Sequence, residues 1–449
     1  MVTSAAPADS AGAPEPENAW MPTHYQRAIL AVCERRTVST AKAVFASTGI
    51  KLVEGGVRIN RDVYQRLAQH ELRRPLEEQL TIENLVSIAS LTQFAREQCE
   101  QAPLLQLLVQ DGGNPIAAAA LVAPLQTMSL PASLAFMLSV VREQYPEQYA
   151  HAMHVALVAV YLGLRANWSK GECTSLAAAG LLHDIGTLHI DPIWLDSTRQ
   201  LTGPEREQLA RHPIIAAQLV NACEVYPRSV AVAILEHHER MDGSGYPRGV
   251  RDRQISPLGQ VLLLAEVVAA FFEKYANDGA AVRLSLTLRL GHHKFPAELT
   301  ALLLPILQAT NIQTGSADDL RQVQHTSARI ARALAHWREL QPDAQEPGTE
   351  AAGNPERAPA FVAQRILALQ RSLFDAGCHP DQQAELLPLL QDDAQGLKEM
   401  LFLVREGMWQ LQSIAHTVAT RWPQLHESRD AKDAAVRQWC DALVASAQD

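Results

Sequence analysis

The chain has few aromatics, no clustered cysteines, no surplus of positive charge and no long unbroken apolar run. Aromatic residues make up 5% of its 449 residues, while Ala and Leu are abundant, a balance that leans toward helix. The six cysteines, Cys33, Cys99, Cys173, Cys223, Cys378 and Cys440, include no CxxC pair. That spacing excludes a zinc ribbon, and scattered cysteines in a large chain read as reduced thiols. A net charge of −10 and a pI near 5.9 argue against a DNA or RNA polymer as partner, because phosphate neutralisation needs a basic surface. A local basic pocket for one small phosphate ligand stays compatible with that balance. The most apolar stretch, Ile116 to Val141, is broken by Pro124 and Pro131 and carries Gln126. A spanning helix needs about 20 uninterrupted apolar residues, so no membrane insertion is expected. The N-terminus shows no charged stretch leading into an apolar run, and the expected location is cytoplasmic.

The chain is long enough for two or three domains, and its 47% apolar and 20% charged residues are ordinary for a globular protein. Residues 1–22, rich in Ala, Pro, Ser and Glu, read as a disordered tail. Residues 23–112 read as a small α+β accessory domain. Within it, 49–53 and 57–60 are expected to pair as a hairpin across Glu54-Gly55-Gly56, with helices over 61–72 and 82–99. From about 127 to 312 apolar residues recur at three- and four-residue spacing, which predicts helix after helix. Predicted helices there include 147–164, 175–182, 229–238 and 258–272. A helical extension (313–341), a Pro/Gly/Glu-rich linker (342–359) and a C-terminal helical region (360–449) complete the chain. The C-terminal helices, with Trp337, Trp409, Trp422 and Trp439, are expected as an extra helical layer or a homodimer surface. The fold class is therefore mainly α.

Histidines and carboxylates collect in the middle region. Glu147 and His151 are four apart on one predicted helix face. His183-Asp184 closes an apolar helix, His212-Pro213 opens another, and His237-His238-Glu239 ends a third ahead of Asp242-Gly243-Ser244-Gly245-Tyr246-Pro247. Glu266 sits inside the run Val261 to Val268, where an ionised carboxylate is costly unless paired or metal-bound. Any one of these histidines alone reads more readily as a packed core residue. Together, imidazoles and carboxylates on successive helices can converge on a bundle interior and build a multinuclear metal site.

His183-Asp184-Ile185-Gly186, His212-Pro213 and His237-His238-Glu239 through Gly245-Tyr246-Pro247 resemble, in order and spacing, an HD-GYP domain. The resemblance covers roughly 127 to 312 and implies an HD-type helical bundle with two or three divalent metal ions, iron or manganese foremost, zinc or nickel next. It implies hydrolysis of a cyclic dinucleotide, cyclic di-GMP, to the linear dinucleotide or GMP by a metal-bridged hydroxide. Carried over position by position, the metal ligands would be Glu147, His151, His183, Asp184, His212, His237, His238 and Glu266. Asp184 would bridge two metals and Glu147 would serve a third; His183 and Asp184 would be catalytic. Most relatives carry Asp where Glu266 stands. Arg240, Asp242, Gly245 and Tyr246 would face substrate, and the Gly-Tyr-Pro loop would also offer a contact for a signalling partner.

Several positions depart from the family pattern. Thr187 stands where active relatives carry Lys, and Ser197 replaces a second Lys. Phe272-Glu273-Lys274-Tyr275 replaces a basic Arg-Pro-Tyr-Arg stretch, Ala269 replaces an Asp, and His154 replaces an Arg. Loss of a phosphate-contacting cation costs a few kcal/mol, roughly two or three powers of ten in rate. These departures keep open a regulatory module that binds metal and cyclic di-GMP without efficient turnover, and the resemblance to the wider HD superfamily keeps open a phosphohydrolase of another phosphoester. His154, His189, Asp191 and the pair His292-His293 read as structural or surface residues.

Overall fold

A computed structural model of the chain describes residues 22–110, 116–195, 203–275, 279–308, 317–340, 357–390 and 393–445. Helices dominate them, and among the described residues no helix is long and apolar enough to cross a membrane. The chain divides into two units, Met1–Leu85 and Val86–Asp449.

The first unit is α+β. Helix α1 (His24–Arg35) starts at a Thr23–Gln26 capping box, which satisfies two N-terminal donors reciprocally. Strands β1 (Val38–Thr40), β2 (Val44–Phe45) and β3 (Lys51–Val53) follow, then α2 (Arg61–Ala68) and β4 (Leu80–Ile82). The pairing differs from the expected hairpin: β3 pairs antiparallel with the upstream β2, and β1 with β4. Residues 57–59 run against β1 instead, with Thr40 N donating to Val57 O (3.0 Å) and Ile59 N to Val38 O (2.8 Å). The Glu54-Gly55-Gly56 turn sends the chain that way, since Gly56 N donates to Thr40 O at 2.7 Å. Residues 82–87, expected as the start of a helix, hold the end of β4 and a loop.

The second unit begins earlier than the expected boundary near residue 112. Helices α3 (Ile88–Gln101) and α4 (Pro103–Gln110) belong to it, because Leu91, Ala95, Leu104, Leu105 and Leu108 bury their side chains within it. α3 packs on α5 (Ala118–Thr127), and α6 (Ala132–Gln144) leads into α7 (Pro146–Arg165). α8 (Lys170–Leu182), α9 (Gly203–Leu209), α10 (His212–Ala222), α11 (Arg228–Glu236) and α12 (Pro257–Tyr275) complete the central bundle. α7 is the axis: every side chain from Val155 to Leu162 is fully buried, so the helix is apolar all round, and α8 and α12 pack on it.

Helices α13 (Ala280–Leu290) and α14 (Ala297–Gln308) return along the bundle, and α15 (Ala317–Leu340) leaves it. α16 (Ala358–Asp375), the single turn α17 (Gln383–Leu386), the long α18 (Ala394–Arg421) and α19 (Ala431–Ala445) follow. The expected extension and C-terminal region share one core: α15, α16 and α19 all pack on α18, around a Trp439 that is fully buried. Trp439 donates Nε1–H to Ala333 O (2.9 Å) and meets Trp337 edge-on at 5.6 Å between ring centroids. α13, expected within the central domain alone, also packs on α18 through Leu286 and Leu290. The tail 1–21 and most of the expected linker, 342–356, lie outside the described residues.

Trp439→Ala is expected to lower the unfolding free energy by about 3–5 kcal/mol, the range for removing a buried aromatic. Urea unfolding followed by circular dichroism measures it, and a loss below about 1 kcal/mol contradicts the shared core.

Candidate metal centre

Helix ends, more than helix faces, bring the ligating side chains together. His183 is the C-cap of α8 and His237 the C-cap of α11, while His212 opens α10. Each ring places Nδ1 on the carbonyl three residues back: His183 on Gly180 (2.7 Å), His212 on Leu209 (2.6 Å) and His237 on Ile234 (2.6 Å). A carbonyl only accepts, so Nδ1 carries a proton in all three, and Nε2 faces the interior, where it can ligate once it holds no proton. This is how metal-binding imidazoles are held, the outer nitrogen anchored and the inner one free to ligate. Close approach at the α8 end needs Gly186, where a Cβ would lie 2.1 Å from His212 O.

The inner atoms form two adjoining groups, each with its ligand atoms within 4.8 Å of one another: Asp184, His212, His237 and His238; and His151, His183 and Glu266. Asp184 joins them. Its Oδ1 lies 3.2 Å from His212 Nε2 and 3.6 Å from His237 Nε2, and its Oδ2 lies 3.5 Å from His183 Nε2. Glu266 Oε2 lies 3.0 Å from His151 Nε2 and 3.3 Å from His183 Nε2. Among the described residues, His183 Nε2 and Asp184 Oδ1 are buried and find no hydrogen-bond partner, which is costly for polar atoms unless a further partner such as a cation serves them. A mixed imidazole and carboxylate donor set suits a first-row divalent ion, so the residues fit such a metal.

Burial opposes charge throughout the centre, yet the groups charge one another. His183, with His212 and His237, holds the Asp184 carboxyl well below the usual carboxylate range, and His151 with His183 does the same for Glu266. In return, and against burial, Asp184 and Glu266 lift His183 to about 10, while Glu266 and Glu273 raise His151 well above its ordinary value. Burial and neighbouring imidazoles push His237 and His238 down. The protons on His151 and His183 thus stand where a divalent cation would compete.

Glu147 is in neither group. It is exposed in the first turn of α7, one turn before His151, and the expected third-metal role gains no support from that position. The neighbour His151 does have is Glu273. That carboxylate lies 2.9 Å from His151 Nδ1 and 3.0 Å from His154 Nδ1, and His154 Nε2 reaches Gln98 Oε1 at 2.7 Å. Two departures from the family pattern, His154 and Glu273, therefore meet each other and the inner ligand. Sequence reading missed Glu273 as an orienting group and placed His154 as surface or packing. Its one signal was an acidic residue seven positions past Glu266, two helical turns along the same face of α12.

The segment after His238 is held by buried carboxylates. Glu236 accepts from Arg248 Nη2 (2.6 Å) and from Ser256 N and Oγ, and Glu239 accepts from Arg248 N (2.8 Å). Gly245 is required here, because a Cβ would lie 2.4 Å from Glu239 Cα. Tyr246 packs on His238 at 4.6 Å between ring centroids. Asp242 does not face the site as expected: Arg365 of α16 pairs with its Oδ2, Ser244 donates to its Oδ1, and His293 Nε2 is 3.6 Å away. Its charge is spent on the C-terminal helices. His293 belongs to that contact, and its partner His292 sits in an exposed turn. Asp191 accepts from Ile193 N in the turn beyond the motif. Thr187 is buried and donates its hydroxyl to Asp184 O at 2.6 Å, so it offers the site no cation. Ser197 lies outside the described residues.

A cavity of about 580 Å³ opens beside the centre. His238, Glu266, Arg240, Gly245 and Tyr246 line its inner end. Of the four residues expected to face substrate, Arg240, Gly245 and Tyr246 line this cavity and Asp242 does not.

The HD domain family matches residues 119–289. A cyclic di-GMP phosphodiesterase of Pseudomonas aeruginosa is 34% identical over 155 residues, 33% of this chain and 37% of that protein. A 3'3'-cGAMP-specific phosphodiesterase of Vibrio cholerae is 33% identical over 122 residues, 26% of each chain. A cyclic di-GMP phosphodiesterase of Thermotoga maritima is 31% identical over 131 residues, 29% of this chain and 35% of that protein. These matches span roughly a quarter to a little over a third of the relatives' length. Among solved structures, an HDG"Y"P protein of Bdellovibrio bacteriovorus aligns over 62% of this chain and 98% of its own at 18% identity, with a TM-score of 0.34.

Two outcomes are expected. Manganese binding to the metal-free protein at neutral pH releases protons, seen as buffer-dependent heats in calorimetry; equal heats in buffers of different ionisation enthalpy contradict the proton–metal competition. Glu273→Gln weakens metal retention about 10-fold, the lower end for an orienting partner because this one is partly solvated. Chelator competition measures that loss, and unchanged retention removes Glu273 from the centre.

Proposed function

We propose that this chain, whose residues 119–289 are an HD domain of the HD-GYP type, is a metal-dependent phosphodiesterase that hydrolyses cyclic di-GMP or a related cyclic dinucleotide to the linear dinucleotide or GMP. The observation that carries the reading is Asp184, one carboxylate reaching both imidazole groups, in a cluster whose His238 and Glu266 line a cavity large enough for a nucleotide. His151, His183, Asp184, His212, His237, His238 and Glu266 would hold the metal. Two groups favour two ions over three, and the exposed Glu147 adds no third set. Iron or manganese suits this donor mixture, with zinc or nickel as substitutes. Bound divalent ions would supply a Lewis acid toward phosphate oxygens and lower the pKa of a coordinated water.

The chain's own groups do the rest. His183, His212 and His237, anchored at Nδ1, keep their Nε2 atoms aimed inward, and so would hold divalent ions without reorganisation of the ligands. Arg240 reaches the cavity from a partly buried position, its Nη1 donating to Glu239 O, and can pair with a non-bridging oxygen. Tyr246, tilted against His238 at 4.6 Å between ring centroids, lines the cavity next to it. The Gly-Tyr-Pro loop as a signalling-protein contact, and a homodimer through the C-terminal helices, rest on the resemblance and on exposed positions such as Ser244 alone.

A second reading has a specific observation behind it: Thr187 is buried and its hydroxyl committed, so the cation relatives place there is missing. On that reading the chain binds metal and cyclic dinucleotide with little turnover.

The test is anaerobic, manganese- or iron-loaded protein with cyclic di-GMP and with 3'3'-cGAMP, products separated by chromatography. Linear dinucleotide or GMP is expected, with Asp184→Ala lowering the rate at least about 10³-fold, a loss of roughly 4 kcal/mol of transition-state stabilisation. Binding of cyclic di-GMP with no product from the fully loaded protein favours the second reading over the first.

A further inference from the structure

The cavity beside the metal centre is not closed by the HD domain. Its inner end belongs to α12 and the loop after His238, but its far wall is α18, more than a hundred residues beyond the HD match, through Phe402, Arg405, Glu406 and Trp409. Two features of the cavity are not explained by packing. The first is Trp409, which is 53% exposed at the cavity wall, while Trp337 and Trp439 on the neighbouring helices are 6% and 0% exposed. A large aromatic left half in water at a cavity edge is a surface for another ring.

The second is charge. In a chain of net −10, Lys274, Arg283, Lys294 and Arg405 line this cavity in addition to Arg240, against the carboxylates Glu266 and Glu406. Burial pushes the Glu406 carboxyl up against the opposing pull of Gln410 and Lys294, and burial opposes charge on Lys294 itself. Arg283 carries its guanidinium carbon 4.1 Å from the Tyr275 ring centroid and 5.3 Å from that of Phe402, so aromatic neighbours from α12 and α18 together flank it. A cationic floor with aromatic walls is the chemistry that takes a ligand carrying both phosphate and a flat base.

We propose that α18 forms the base-binding wall of the substrate pocket, with Trp409 as the stacking platform for a purine base whose phosphate lies toward Arg240 and the metal ligands. This rests on the reading of the cavity as the site of a nucleotide phosphodiesterase. The C-terminal helices are then part of the site and more than a layer over it. The same helices also grip the loop at its rim, where Arg365 of α16 pairs with Asp242.

The experiment uses the full-length, metal-loaded protein and calorimetric titration with GMP and with ribose 5-phosphate, which keeps the phosphate and lacks the base. Trp409→Ala is expected to weaken GMP about 10-fold or more, in the range for loss of one stacked base, and Trp409→Phe to recover most of it. Ribose 5-phosphate affinity is expected to stay within about 2-fold. Equal GMP affinity in wild type and Trp409→Ala overturns the proposal, as does an equal loss for both ligands, or wild-type protein that takes no GMP at millimolar concentration. If GMP binding depends on Trp409 while cyclic dinucleotides are not hydrolysed, the stacking wall stands and the phosphodiesterase reading is the one that fails.

Discussion

One carboxylate organises the centre. Asp184 lies between two sets of imidazoles with an oxygen toward each, in a place where an unpaired charge costs several kcal/mol. Everything near it answers that cost. The helices stop where they do because an imidazole that offers Nε2 inward must give Nδ1–H to an acceptor, and the free carbonyls at a helix C-terminus are ready acceptors. α8 and α11 end at the centre for this reason, and α10 begins there with His212 anchored on the turn before it. The apolar α7 supplies the axis from which His151 reaches in, and α12, packed on it, supplies Glu266.

Much of this was legible in the sequence, and the reason is local. His183-Asp184, His212-Pro213 and His237-His238 sit at helix boundaries that the end of apolar periodicity marks, so residue type and position agree. Glu266 stood out because a carboxylate in an apolar run needs a partner. What failed was long-range. Glu147 shares a helix face with His151, but spacing says nothing about where the bundle ends, and the first turn of α7 lies outside it. Asp242 looked like a substrate contact until Arg365, 123 residues later in the chain, took its charge. The hairpin over 49–60 went wrong in the same way, because β1 and β2 compete for those residues from upstream.

The departures from the family pattern change meaning once the fold is known. Taken singly, Glu273 in place of a basic stretch and His154 in place of an Arg read as losses. In space they are partners, bridged through one carboxylate that also orients His151. The missing motif lysines are likewise only half the account, since Lys274, Lys294 and Arg405 line the adjacent cavity from α12, the turn after α13 and α18. A sequence compared one motif at a time registers a vacancy at position 187, whereas the folded chain distributes cations around the same cavity from three elements.

The central claim is that Asp184 sits between two metal positions. Diffraction from crystals grown with manganese, with data collected near the manganese absorption edge, tests it most directly. The account predicts two anomalous peaks flanking the Asp184 carboxylate, one toward His212, His237 and His238 and one toward His151, His183 and Glu266. A single peak away from Asp184, or none at this centre in a crystal that binds manganese elsewhere, contradicts it.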